Sequence, residues 1–115
     1  MHEMALTRSV VDLVGARTGG RGVTRVRLEV GALAGVVPDA LRFCFDLACQ
    51  GTTLEGADLE IHELPGLLRC AECGATSPCP DLVRLCPCGS ADVAIVAGQE
   101  LRVRSVDVRE VVPCA

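Results

Sequence analysis

Apolar residues recur at helical spacing from the start of the chain. Leu6, Val10, Leu13 and Val14 fall on one face of residues 3–17 at steps of three and four, with Thr7, Arg8, Ser9 and Asp12 largely elsewhere. That pattern predicts an amphipathic helix. "GARTGGRG" (15–22) ends it in a loop. The period then drops to two. In "VTRVRLEV" (23–30) Val26, Leu28 and Val30 alternate with Arg25, Arg27 and Glu29, which predicts a half-buried strand. Pro38 suits the first position of a second helix, "PDALRFCFDLACQ" (38–50), with Gly51 as its stop. Cys44 and Cys49 read there as small buried hydrophobes. "DLEIHEL" (58–64) predicts a second strand with Leu59 and Ile61 inward, and "ELRVRSVDVRE" (100–110) a third. Along the third the apolar phase shifts from Leu101 and Val103 to Val106 and Val108, which calls for a bulge near Arg104–Ser105.

The texture changes between the second and third strands. Pro65-Gly66 marks a boundary, and residues 67–97 hold five of the eight cysteines and three of the six prolines. The last strand is expected to rejoin the first sheet, which makes this stretch an insertion. The expected fold is α+β: two helices on a three-stranded sheet, residues 1–65 and 99–112, with a zinc-ribbon-like lobe inserted at 66–98.

At 115 residues, half of them apolar, there is material for one domain and a small lobe. A chain this size gains from a covalent or metal staple. The formal charge is −4 and no basic block occurs, which argues against nucleic acid as a partner. No apolar run approaches the ~18 residues of a membrane span. Glu3 and Thr7-Arg8-Ser9 are foreign to a signal peptide, so a cytoplasmic location is expected. In a reducing compartment the cysteines read as metal ligands and buried thiols rather than disulfides.

Cys70-Ala71-Glu72-Cys73-Gly74 has the spacing of a zinc knuckle, with a glycine for the tight turn. Cys86-Pro87-Cys88-Gly89 is nearly the second half, one residue short. Cys70, Cys73, Cys86 and Cys88 would enclose one tetrahedral Zn(II), a closed and therefore structural site. Four thiolates and one zinc would take the formal charge from −4 to −6. Cys79, between the pairs, is a substitute for Cys88. A redox role for Cys70 and Cys73 lacks the βαβ setting of such motifs. Cys114 reads as a free thiol in the terminal tail.

"MHE" opens the chain. An α-amine, the backbone nitrogens after it and the His2 imidazole can enclose a metal in a plane, which suits Ni(II) or Cu(II). The methionine is expected to be retained because the next side chain is large. Glu3 fits the first helical turn or an outer carboxylate position. Taken alone, His2 reads more simply as a solvated terminus. His62, between Glu60 and Glu63, reads as a surface residue of an acidic strand, with a metal or pH-sensing role open to it.

"MHEMALTRSVVDLV", "VTRVRLEVGALAGVVPDALRFCFD", "GTTLEGADLEIHELP", "CAECG", "CPCGS" and "ELRVRSVDVRE" together resemble the HypA/HybF family of hydrogenase nickel-incorporation proteins, over about residues 1–110. The resemblance implies a metallochaperone and not an enzyme. It implies Ni(II) bound through Met1, His2 and Glu3 and a separate structural zinc. It further implies delivery to the large subunit of [NiFe]-hydrogenase with a HypB-type GTPase, and in some organisms service to urease and its accessory proteins. A homodimer is compatible with it. The family's second cysteine pair is normally Cys-x-x-Cys, whereas this chain has Cys86-Pro87-Cys88. The competing reading is a zinc-ribbon protein–protein adaptor with an inert amino terminus. A small zinc enzyme is disfavoured because a four-thiolate site has no open position.

Overall fold

The computed structural model describes residues 2–79 and 83–109, His2 by its backbone alone. The element order is α1 (His2–Thr18), β1 (Val23–Gly31), α2 (Pro38–Cys49), β2 (Asp58–Leu64), β3 (Leu67–Cys70), β4 (Thr76–Pro78), β5 (Val93–Ala97) and β6 (Leu101–Val108). The strands form two three-stranded sheets, in the orders β2-β1-β6 and β4-β3-β5. The last strand does rejoin the first sheet beside β1, and the small sheet lies between β2 and β6 in sequence. The molecule is α+β, with two helices, a three-stranded sheet and an inserted cysteine lobe. Cys114 lies outside the described residues.

The chain divides into two compact units: Met1–Leu28, Val37–Ile61 and Val103–Ala115 in one, Glu29–Val36 and His62–Arg102 in the other. The first is built on α1, α2 and the alternation of β1. Val26 and Leu28 are completely buried, as period two requires, and Val23, three residues before Val26 and so out of that alternation, is 1% exposed. From α2 come Leu41, Cys44, Phe45 and Cys49, all buried. Pro38 starts that helix, with Val37 as an N-cap that makes no side-chain hydrogen bond. Phe45 is completely buried, and Phe45→Ala is expected to lower the unfolding free energy by about 3–5 kcal/mol in a denaturant titration.

Helix α1 buries a different stripe from the one its apolar residues suggest. Leu13, expected inside, is 48% exposed, and Thr7, expected outside, is completely buried with Val11 and Val14. Leu6 and Val10 are half-buried. Thr7 is admitted because its hydroxyl donates to the Met4 carbonyl at 3.0 Å. Its polar group is satisfied within the helix, which frees its methyl to pack. The alternation along β6 changes phase as expected: Leu101 and Val103 are half-buried, Arg104 and Ser105 both exposed, and Val106 and Val108 half-buried again.

Arginines of β1 tie its polar face to its neighbours. The guanidinium of Arg27 meets Asp107 of β6 through two bonds, at 2.9 and 3.0 Å, and Glu60 of β2 at 3.4 Å. Arg25 lies 3.9 Å from Asp58. The Arg27 hydrogen bonds hold the Asp107 carboxyl below its usual range. These pairs are partly solvated and fix register more than they add stability.

In the second unit, Leu33, Leu68 and Cys79 are buried together with Val93 and Ile95 packed against them. Strand β3 pairs antiparallel with β4, Leu68 opposite Ser77, and with β5, Leu68 opposite Ile95. The turn after β1 belongs here because its backbone is pinned: Leu33 N–H donates to Gly98 O and Ala32 N–H to Leu64 O, at 2.7 and 2.8 Å.

Candidate metal centre

The two cysteine pairs sit on two tight turns. In the first, which follows β3, the Gly74 N–H donates to the Cys70 carbonyl at 3.0 Å, and the Cys73 N–H points to the Cys70 sulfur at 3.5 Å. In the second, the Gly89 N–H donates to the Cys86 carbonyl at 2.8 Å, and the Cys88 N–H points to the Cys86 sulfur at 3.5 Å. The first turn is closed by a bond between residues four apart and the second by a bond between residues three apart. The missing residue of Cys-x-Cys is thus absorbed as a tighter turn. Gly74 and Gly89 have φ of 73° and 93°, a region closed to most side chains, so each turn needs its glycine.

The four sulfurs converge. Cys70 and Cys88 are 3.7 Å apart, Cys73 and Cys86 3.6 Å, and all four lie within 4.8 Å of one another. A tetrahedron drawn at the ~2.3 Å Zn–S distance has edges of about 3.8 Å. The donor set therefore fits a zinc ion in both softness and size. Cys70 and Cys86 are buried, Cys73 and Cys88 exposed. The thiols do not ionise alike. The Cys73 amide, helped by that of Glu72 and by the neighbouring thiols of Cys73 and Cys88, holds Cys70 down at about 6, although burial opposes it. At Cys86 the Cys88 amide also favours the thiolate, but the surrounding sulfurs and burial prevail and push it up to about 12. A divalent cation is what would allow all four to be thiolates together.

Cys79 is placed elsewhere in its unit. It is 1% exposed in the core with Leu33 and Leu68, and its thiol lies 3.7 Å from the Val83 carbonyl. Cys79→Ser is expected to leave zinc at one equivalent by metal analysis. It should lower stability by about 1–3 kcal/mol, since a hydroxyl replaces a buried sulfur among apolar groups. Cys44 and Cys49 are core residues of α2 as expected, and burial, with Asp46 nearby, pushes the Cys49 thiol up to about 11.

At the amino terminus, α1 begins at His2 with Glu3 in its first turn. Met1 and the His2 side chain lie outside the described residues, and Glu3 is half-buried. His62, expected on the surface, is half-buried with Nε2 closed off from solvent, because β2 is partly covered on both faces from Leu59 to His62. Phe43, which the apolar character of α2 did not distinguish, is 67% exposed. Its place on the opposite side of the helix from Leu41 and Phe45 was the available signal.

A family model described as "Hydrogenase/urease nickel incorporation, metallochaperone, hypA" matches residues 1–108. The chain belongs to the HypA family. It is 44% identical over 111 residues to the hydrogenase maturation factor HypA of Trichormus variabilis, covering 96% of this chain and 98% of that one. It is 51% identical over 112 residues to the HypA of Streptomyces avermitilis, covering 92% and 86%. The solution structure of the Ni metallochaperone HypA from Helicobacter pylori has the same fold, with a TM-score of 0.64 at 20% identity over 92% of this chain and 96% of that one. This HypA-family chain is therefore a nickel metallochaperone of hydrogenase maturation. Among its described residues no helix is long and apolar enough to cross a membrane.

Proposed function

We propose that the protein binds Ni(II) at its amino terminus, through Met1, His2 and Glu3, and delivers it to the large subunit of [NiFe]-hydrogenase. A HypB-type GTPase acts with it in the cytoplasm, and urease is a second destination where that enzyme is made. Nickel here is cargo. Zn(II) is resident: Cys70, Cys73, Cys86 and Cys88 hold it, and with no open position it fixes structure and leaves catalysis aside. The division of labour follows residues 1–65 with 99–112 for nickel and 66–98 for zinc.

The observation that carries this reading is the start of α1 at His2. The first N–H groups of a helix have no acceptor within it, so the backbone nitrogens behind the α-amine can turn to a metal without breaking the helix. The His2 imidazole completes a nitrogen field of the kind Ni(II) prefers. A cation at this end also opposes the helix dipole, which favours release over permanent capture. The sulfur site is the reverse case, four converging ligands and no reason to exchange.

The test is a nickel titration of zinc-loaded protein, followed by visible absorption, beside the same protein with a short amino-terminal extension. A yellow square-planar species at one equivalent, lost in the extended protein, is expected. Equal weak binding by both would leave the adaptor with an inert terminus.

A further inference from the structure

Phe43 is 67% exposed, while Phe45, the chain's other aromatic residue, is fully buried. Leu47, one turn on, is 42% exposed. At this spacing the two form an apolar ridge along the outer side of α2. Asp39, one turn before Phe43, and Asp46, one turn after it, are both exposed and lie along one edge of the ridge. Arg42 is the only cation in this helix, and it is turned away: its Nη1 donates to the Leu59 carbonyl of β2. The ridge therefore shows solvent an apolar strip with carboxylates along one edge.

Its position matters as much as its chemistry. Leu47 lines a groove with Arg8, Val11 and Asp12 of α1. Arg8 is six positions on from His2, roughly 9 Å of helix axis at ~1.5 Å per residue. A protein seated on the ridge is thus within reach of the end of α1 where nickel is proposed to bind.

We propose that this ridge is where the nickel acceptor docks, with Phe43 and Leu47 entering an apolar pocket whose rim carries lysine or arginine facing Asp39 and Asp46. The inference rests on the delivery reading above. The carboxylates call for a basic rim on the partner, and the nearness of the Leu47–Arg8 groove to the start of α1 favours the protein that receives the nickel over a second copy of this chain. A single exposed aromatic is also the usual form of a binding anchor.

The experiment measures binding of zinc-loaded protein to the purified, nickel-free hydrogenase large subunit. Phe43→Ala is expected to weaken binding roughly thirtyfold or more, mostly through faster dissociation. The D39N/D46N double variant should slow association and flatten its salt dependence. Phe43→Met should keep most of the affinity, and zinc content, melting temperature and nickel titration should be unchanged in all three. If wild type binds and Phe43→Ala binds within twofold of it, the ridge is the wrong surface and delivery stands. If wild type does not bind the large subunit with or without nickel, delivery and ridge fall together. If sedimentation finds a wild-type dimer that Phe43→Ala dissolves, the ridge is a self-interface and the proposal is overturned.

Discussion

Cys73→Ser is expected to lose most of its zinc and, with it, the ordered state of the small sheet. Strands β3, β4 and β5 have four, three and five residues. The apolar core behind them is Leu33, Leu68 and Cys79, helped by Val93 and Ile95. So few buried side chains do not offset the backbone entropy of three strands and two tight turns. Bound zinc would supply the difference, because structural zinc binding, apparent values about 10–16 kcal/mol in small zinc-finger peptides, is folding free energy. Cys73 is one of four converging sulfurs and one of the two that are exposed. A serine hydroxyl there is a poor ligand for a thiolate-preferring site, and the loss should reach several kcal/mol. Metal analysis should fall well below one equivalent, and amide exchange should quicken in β3–β5 before α1 and α2. Chelation of the wild type should reproduce both effects. A variant that kept a full equivalent and its exchange protection would mean that another group, with Cys79 the nearest candidate in sequence, can leave its place to complete the shell.

The second large effect is expected at the other end of the chain. His2→Ala should remove the one-equivalent square-planar nickel species while zinc content and thermal melting stay at wild-type values. The imidazole of His2 is the side chain that closes the proposed nitrogen field, and without it the amine and amides retain only weak, nonspecific affinity. The fold should not notice, because the first helical residue contributes little to a core made by Thr7, Val11 and Val14. An amino-terminal extension should do the same by a different route, converting the α-amine into an amide that no longer ligates. The pair of variants separates the imidazole from the amine. Unchanged nickel affinity in His2→Ala would place the metal elsewhere, and the half-buried His62 would be the first residue to test.

The alternation in β1, the Pro38 start of α2 and the phase change in β6 were all legible in the sequence. So were the turn glycines and the paired cysteines of the inserted lobe, and the Met-His-Glu opening together with the rest of the chain pointed to the family. These features share a cause: each is set by residues close together in the chain, through backbone periodicity or a turn that only certain residues can make. What the tertiary structure decided was which groups of equal local merit go inside. Thr7 is buried and Leu13 exposed because α2 covers one side of α1 and a hydroxyl bonded to its own helix packs as well as a methyl. Cys88 rather than Cys79 meets the other three sulfurs because the second turn closes one residue shorter, and Cys79 is drawn into the core beside Leu68. Phe43 is left in solvent because Leu41 and Phe45 fill the side of α2 that packs. Local patterns determine the elements. Competition for a limited interior, settled by packing across the fold, determines which side chains are left to meet a metal or a partner.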